Sequence, residues 1–156
     1  MKHDTPIADA QGQPKTGIMA GKRGLIMGVA NDHSIAWGIA QMLSAQGAEI
    51  AFTYQGDAQK KRLGPLAASI GSAIVLPADV EKDEELDAVF AHLKQQWGSL
   101  DFLVHSLAFS DRDELKGRYV DTSRANFARP LVRSQLSPRS SSWRSTLHTR
   151  ACAYWM

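Results

Sequence analysis

A short apolar run, Arg23-Gly24-Leu25-Ile26-Met27, ends in Gly28 and is followed by a loop and then by the start of a helical pattern at Ser34. A dinucleotide's pyrophosphate can rest on the backbone N–H groups that open such a helix. The common G-x-G-x-x-G spacing is absent. The chain instead reads Gly28-Val29-Ala30-Asn31-Asp32-His33-Ser34-Ile35-Ala36-Trp37-Gly38, with Ser34 placed to cap the helix and donate to a phosphate. Taken alone, this turn fits a plain strand-to-helix connection equally well. Asp79 can accept from an adenine amino group, or it can be a turn aspartate ahead of the next helix. Lys60, Lys61 and Arg62 can attract a 2'-phosphate, or they can form a solvated helix face. His105, at a strand end, suits a backbone role better than that of a general base. Tyr54 and Lys61 satisfy a Tyr-x6-Lys spacing, yet they straddle a strand end and the following helix, so that spacing is accidental. The single cysteine, Cys152, excludes an internal disulfide and a thiolate metal cluster, and no metal site is expected.

The elements that must position these residues alternate strictly between strand and helix, the pattern of a doubly wound parallel sheet with crossover helices. Strands are expected at 23–28, 49–54, 73–76 and 100–105. The first helix spans about Ser34 to Gln46, with Ile35, Ile39, Met42 and Leu43 suiting one face and Gly47 closing it. A second spans Asp57 to Ile70, interrupted at Gly64-Pro65. A third, from about Lys82 to Trp97, places Leu86, Val89, Phe90 and Leu93 together, with acidic residues in its first turn, and ends at Gly98. Residues 111–128 read as polar loop with one helix beginning near Thr122, and residues 1–20 as a flexible leader.

At 156 residues and 44% hydrophobic, the chain can bury one sizeable core. No window approaches the roughly 18 apolar residues of a membrane span, and the N-terminus lacks a secretory signal, so a cytoplasmic protein without a membrane partner is expected. The net charge of +2 is unevenly spread. Residues 129–156 hold five arginines, no acidic residue and six serines, without helical or strand periodicity. Such a tail can be a nucleic-acid arm, a disordered segment or a stretch read in the wrong frame. Singly scattered arginines and no aromatic platform argue against nucleic acid, and the abrupt change after Ala128 favours the shifted frame.

Gly28-Val29-Ala30 with Ser34-Ile35-Ala36 and Gly38-Ile39-Ala40 resembles the divergent nucleotide loop of bacterial enoyl-acyl carrier protein reductases, a branch of the short-chain dehydrogenases of fatty acid synthesis. Ala51-Phe52-Thr53-Tyr54-Gln55 resembles that family's second strand and adenosine-side glutamine. Leu76-Pro77-Ala78-Asp79-Val80 resembles its third strand with an adenine-binding aspartate, and His105-Ser106-Leu107-Ala108-Phe109 the segment beside the nicotinamide ribose. The likeness continues through Gly117-Arg118-Tyr119-Val120, covering roughly Ile18 to Ala128. It implies a Rossmann-type fold, truncated after about four strands in the order 3-2-1-4, in a nucleotide-binding half spanning residues 21–128. The cofactor residues it implies are Gly28, Val29, Ala30, Ser34, Ile35, Gln55, Asp79, Val80, Ser106, Leu107 and Ala108. Gln55 lies roughly 27 residues beyond Gly28, where an acidic residue would hold a ribose 2'-hydroxyl or an arginine a 2'-phosphate. A neutral glutamine there is compatible with NADH.

Reduction of an enoyl thioester needs a proton donor and an oxyanion stabiliser beside the nicotinamide. In the family a tyrosine and a lysine of a Tyr-x6-Lys element serve, in the helix after strand five. No lysine follows Lys116 in this chain, so no catalytic residue is assigned. The resemblance implies an NADH-dependent oxidoreductase acting on enoyl-acyl carrier protein, homotetrameric when intact, with this chain inactive. A non-catalytic NADH-binding remnant is the alternative. So is a 3-oxoacyl reductase, against which the Ser34-Ile35-Ala36 loop argues. Lacking a fifth strand, the fourth is expected to present an open apolar edge.

Overall fold

The computed structural model describes residues 16–107, 113, 116, 118–133 and 152–154. Strands β1 (Arg23–Met27), β2 (Glu49–Tyr54), β3 (Ile74–Pro77) and β4 (Phe102–His105) alternate with helices α1 (Ile35–Ala45), α2 (Asp57–Ser69) and α3 (Asp83–Trp97). A 3-10 turn at Tyr119–Asp121, helix α4 (Arg124–Arg133) and a short β5 (Cys152–Tyr154) follow. Every pairing is parallel and the order is β3-β2-β1-β4-β5. The central register sets Leu25 against Ala51 on one side and Leu103 on the other.

Side chains of a strand alternate between faces, so each face of a doubly wound sheet needs its own apolar partner layer. Leu25, Met27, Ala51 and Leu103 point to the side covered by α3, where Leu86, Val89, Phe90, Leu93 and Trp97 are buried. Ile26, Ile50, Phe52 and Val104 point to the other side, against α1 and α2. The face expected of α3 is the one observed.

Helix α1 differs from its expected face. Its buried residues are Ala36, Trp37 and Ala40, with Ile39 and Leu43 partly buried, whereas Ile35 and Met42 are 67% and 66% exposed. Small alanines let the helix backbone approach the sheet closely, and Trp37 then reaches the Phe52 ring at a centroid distance of 6.3 Å. Helix α2 is also not interrupted at Gly64-Pro65; it continues through Pro65 to Ser69. Pro65 and Lys61, the residue whose carbonyl loses its amide partner, are both exposed, while buried Leu63 and Ala67 pin the helix on either side.

The strands' N-terminal ends are tied by Arg23, whose guanidinium reaches Glu49 at 3.1 Å and donates to the Trp97 carbonyl at 3.1 Å. Asp101 accepts from the Arg23 backbone at 2.9 Å and from Lys22 at 3.0 Å. The expected leader is structured in its last part. The Met19 amide donates to the Gln46 carbonyl at 2.9 Å, and the Met19 side chain packs on the α1–α2 cluster.

The expected open edge at β4 is covered. Leu103, Val104 and His105 pair with Cys152, Ala153 and Tyr154, so the sheet has five strands. A row of unpaired strand N–H and C=O groups is a template for any extended segment within reach, and the tail supplies one. Helix α4 runs through Ala128, where the change of composition falls. Among the described residues no helix is long and apolar enough to cross a membrane.

His105 is buried at 1% exposure, and burial holds its imidazole below the usual value of 6.5. The unfolded chain therefore takes up a proton at a pH where the folded chain does not, and stability falls as pH drops through 6.5. The urea midpoint is expected to be lower at pH 5.5 than at pH 7.5, with a shallower dependence in His105→Leu. An unchanged slope in that variant would assign the effect to another group.

Candidate dinucleotide-binding site

The C-terminal ends of β1, β2, β3 and β4 meet in one depression lined by Gly28, Thr53, Tyr54, Gln55, Gln59, Ala78, Val80 and Leu107. Open α/β sheets bind ligands outside these strand ends, where the order of connections reverses. Here the reversal lies between β1 and β4. Gly28 turns the chain there with φ +97, and a Cβ on it would stand 1.9 Å from the Ser106 carbonyl oxygen. The β1 turn and the β4 exit are thus in backbone contact, strengthened by the Ser106 amide donating to the Met27 carbonyl at 3.0 Å.

Ser34 occupies the N-cap position of α1, with extended backbone angles of φ −71 and ψ 143, and its carbonyl accepts from the Trp37 and Gly38 amides. Its side chain does not cap the helix as expected. The loop folds back on itself, so that the Ser34 hydroxyl donates to the Asn31 carbonyl at 2.6 Å while the Asn31 side chain accepts from the His33 amide at 3.0 Å. The amides of Ile35 and Ala36 precede the first intrahelical bond and receive no cap from this side chain. Uncapped first-turn N–H groups with the helix dipole behind them favour an anion.

Across the depression, the Gln59 side-chain carbonyl accepts from the Gln55 backbone amide at 2.7 Å, and its NH2 donates to the Val29 carbonyl at 2.8 Å. One side chain thus bridges the turns that follow β1 and β2. Beyond β3, Asp79 accepts from the Glu81 amide at 3.1 Å, and its own amide donates to Glu85 at 2.8 Å. Glu85 also holds Lys82 at 2.7 Å, and the hydrogen bonds from Lys82 and then from the Asp79 amide keep its carboxyl below the usual carboxylate value. The Asp79 carboxylate therefore shapes this turn. Lys60, Lys61 and Arg62 are exposed on α2, with the Lys60 ammonium 5.6 Å from the centroid of the Tyr54 ring.

Of the positions singled out in the sequence, Gly28, Gln55, Val80 and Leu107 line the depression together. Ser106 adjoins it through its carbonyl against Gly28, and Asp79 lies between the lining residues Ala78 and Val80. Ala30 and Ile35 are exposed beside the α1 turn, whereas the Val29 side chain is buried in the α1–α2 cluster and offers only its backbone. Ala108 lies outside the described residues. Thr53, Tyr54, Ala78 and Gln59 were not singled out for the site. The first three sit one or two positions from residues that were. Gln59 lies in the first turns of α2, whereas Gln55 precedes the helix in the turn after β2, so no sequence spacing pointed to their contact. Among the described residues no three His, Cys, Asp or Glu side chains are placed to hold a metal ion.

A parallel sheet ordered β3-β2-β1-β4, helices on both faces and a glycine turn at the reversal point define the Rossmann-type class of α/β domains. The chain belongs to the enoyl-(acyl carrier protein) reductase family, whose model matches residues 28–138. The match extends past Ala128, where the resemblance read from the residues ended. The chain is 61% identical over 121 residues to enoyl-acyl-carrier-protein reductase (NADH) 2 of Rhizobium meliloti, covering 78% of this chain and 45% of that protein. It is 51% identical over 116 residues to an NADH reductase of the same name from Rickettsia bellii, covering 74% and 44%. Among solved structures, the reductase of Anaplasma phagocytophilum in complex with NAD superposes with a TM-score of 0.71 at 54% identity, covering 75% of this chain and 45% of that one. The NADH reductase of Aquifex aeolicus superposes with a TM-score of 0.79 at 39% identity, covering 86% and 58%. The chain spans less than half the length of the curated relatives it matches.

Proposed function

We propose that this chain forms the NADH-binding part of an enoyl-acyl carrier protein reductase of fatty acid elongation. The observation that carries the reading is the convergence of Gly28, Gln55, Val80 and Leu107 in one depression at the strand ends, beside the uncapped first turn of α1. The pyrophosphate is assigned to the loop of Gly28, Val29, Ala30, Ser34 and Ile35, through backbone N–H groups and the positive end of α1. The adenosine ribose is assigned to Gln55, the adenine to Asp79 and Val80, and the nicotinamide ribose to the segment of Ser106 and Leu107, with Ala108 assigned there by family resemblance alone. NADH, when bound, supplies the hydride that reduces the trans-2 double bond. The intact family implies an enoyl-acyl carrier protein partner, a homotetramer and a cytoplasmic location.

The 156 residues contain no Tyr-x6-Lys pair beyond β4, and hydride addition leaves an enolate on the thioester oxygen that needs a proton donor and a stabilising cation. This polypeptide is therefore assigned binding without turnover. Two measurements on the purified chain test both parts. NADH fluorescence is expected to titrate saturably, and crotonyl-thioester-dependent NADH oxidation to stay at the rate without protein. Failure to bind removes the nucleotide assignment, and measurable oxidation removes the inactivity.

A further inference from the structure

We infer that Gln59 is a positioning residue of the cleft, its side-chain amide fixing the direction of the Val29–Ala30 peptide in the loop assigned to the pyrophosphate. The inference rests on the dinucleotide reading above and adds what orders that loop before a ligand arrives.

Residues 28–34 join β1 to α1 without belonging to either. Both ends of this loop are fastened. Gly28 lies against the Ser106 carbonyl, and bonds from the His33 amide and the Ser34 hydroxyl return to Asn31. Between these ends the Val29 side chain is buried, and the Val29 carbonyl accepts from the Gln59 NH2 at 2.8 Å. The peptide that follows is trans, so its carbonyl and its N–H point in opposite directions. Holding the Val29 carbonyl therefore turns the Ala30 N–H away from Gln59. A backbone N–H is the group with which such a loop meets a phosphate.

Gln59 is itself firmly placed. It belongs to the first turn of α2, and Leu63, one turn further on the same side, is buried against the sheet. Its side-chain carbonyl accepts from the Gln55 amide at 2.7 Å, so both ends of the side-chain amide are bonded. Ordering a loop peptide costs conformational entropy, and a cleft that has met this cost on folding does not draw on binding energy for it. Released from Gln59, the Val29 carbonyl is free to turn its partial negative charge toward the diphosphate.

The test compares the full 156-residue chain with Gln59→Met and Gln59→Glu. Methionine keeps the length of the side chain and removes both bonds. Glutamate keeps the acceptor for the Gln55 amide and loses the donor to Val29. In fluorescence titrations the NADH Kd is expected to rise by about 3- to 10-fold in Gln59→Met, the range of one net hydrogen bond. In Gln59→Glu it is expected to rise at least as much, because a carboxylate then faces the Val29 carbonyl. The urea midpoints are expected to stay close to native, since water can reach both released groups in the open depression. The signature that a merely structural role does not produce is local. In amide-resolved NMR spectra the Ala30 resonance is expected to shift in both variants while the strand amides of β1 and β4 hold their positions. Gln59→Glu carries the test if the methionine variant does not fold. A Kd unchanged in both variants, or raised only in step with a lower urea midpoint, overturns the inference while native NADH binding stands. So does a raised Kd with an unmoved Ala30 resonance, which would put direct contact with the ligand in place of positioning. A native chain that binds no NADH overturns the inference together with the assignment beneath it.

Discussion

Gly28→Ala is expected to destabilise the domain by about 2–6 kcal/mol and to abolish NADH binding. Two independent costs meet at this position. Its φ of +97 lies where an L side chain is strained by about 1–3 kcal/mol. The added carbon would also sit 1.9 Å from the Ser106 carbonyl oxygen and 2.5 Å from its carbon. Both atoms are backbone, so relief requires the β1 turn and the β4 exit to separate, a disruption of the kind that costs about 1–3 kcal/mol more. Separation would open the depression at its centre. Gly38→Ala provides the contrast within the same loop-and-helix segment. Gly38 is in α1, and an added Cβ there meets no atom within 4 Å. Alanine at this site is expected to stabilise the helix by about 0.5–1 kcal/mol and to leave NADH titration unchanged. Urea unfolding of both variants checks the pair. Equal midpoints would show that the close approach at Gly28 does not constrain the fold.

Phe90→Ala is expected to cost about 3–5 kcal/mol, because a fully buried aromatic is removed from a layer that cannot collapse around the gap. Phe90 lies on α3 amid Leu86, Val89 and Leu93, against strand residues Leu25, Met27 and Leu103. These partners come from a rigid sheet, so relaxation into the cavity is limited. Domains are commonly stable by only about 5–15 kcal/mol, and the variant is expected to be largely unfolded well below the native urea midpoint. A loss under about 1 kcal/mol would mean that α3 is not firmly seated on the sheet.

Much of the architecture could be read from the residues because parallel strands covered on both faces appear as short apolar runs, and EIAFTY and LDFLVH are unmistakable in that respect. The α3 face was equally plain, since Leu86, Val89, Phe90 and Leu93 are large and regularly spaced. The α1 face departs from its large apolar residues because position on the helix outweighs side-chain size. Ala36 and Ala40 are buried for their smallness, while Ile35 and Met42 remain outside. Pro65 reads as a break because residue type does not reveal that Lys61, whose carbonyl loses its amide partner, lies on the exposed side of the helix. Strand β5 was invisible for another reason: three residues of an arginine-rich tail acquire strand geometry from the edge they join, not from their own pattern. Gly28, Gln55, Val80 and Leu107 line one depression because each follows the C-terminal end of a strand, a placement the alternation of elements already implied. Gln59 was not singled out, because its importance lies in two hydrogen bonds to backbone groups of separate turns, and neither is expressed by residue type.

The attachment of β5 also orders events in time. The pairings of β1 with β2 and of β2 with β3 close over single crossover helices, whereas β1 with β4 spans almost the whole described sheet in sequence, and β4 with β5 closes the longest connection between consecutive strands. Loop closure costs more entropy the longer the loop, and β5 recovers only three residues of pairing against it. The β1–β2–β3 unit is therefore the natural nucleus, and β5 docks last and opens first. In hydrogen–deuterium exchange, strand amides bonded between β1 and β2 would report the stability of the whole domain, while those shared by β4 and β5 would exchange through a smaller, independent opening.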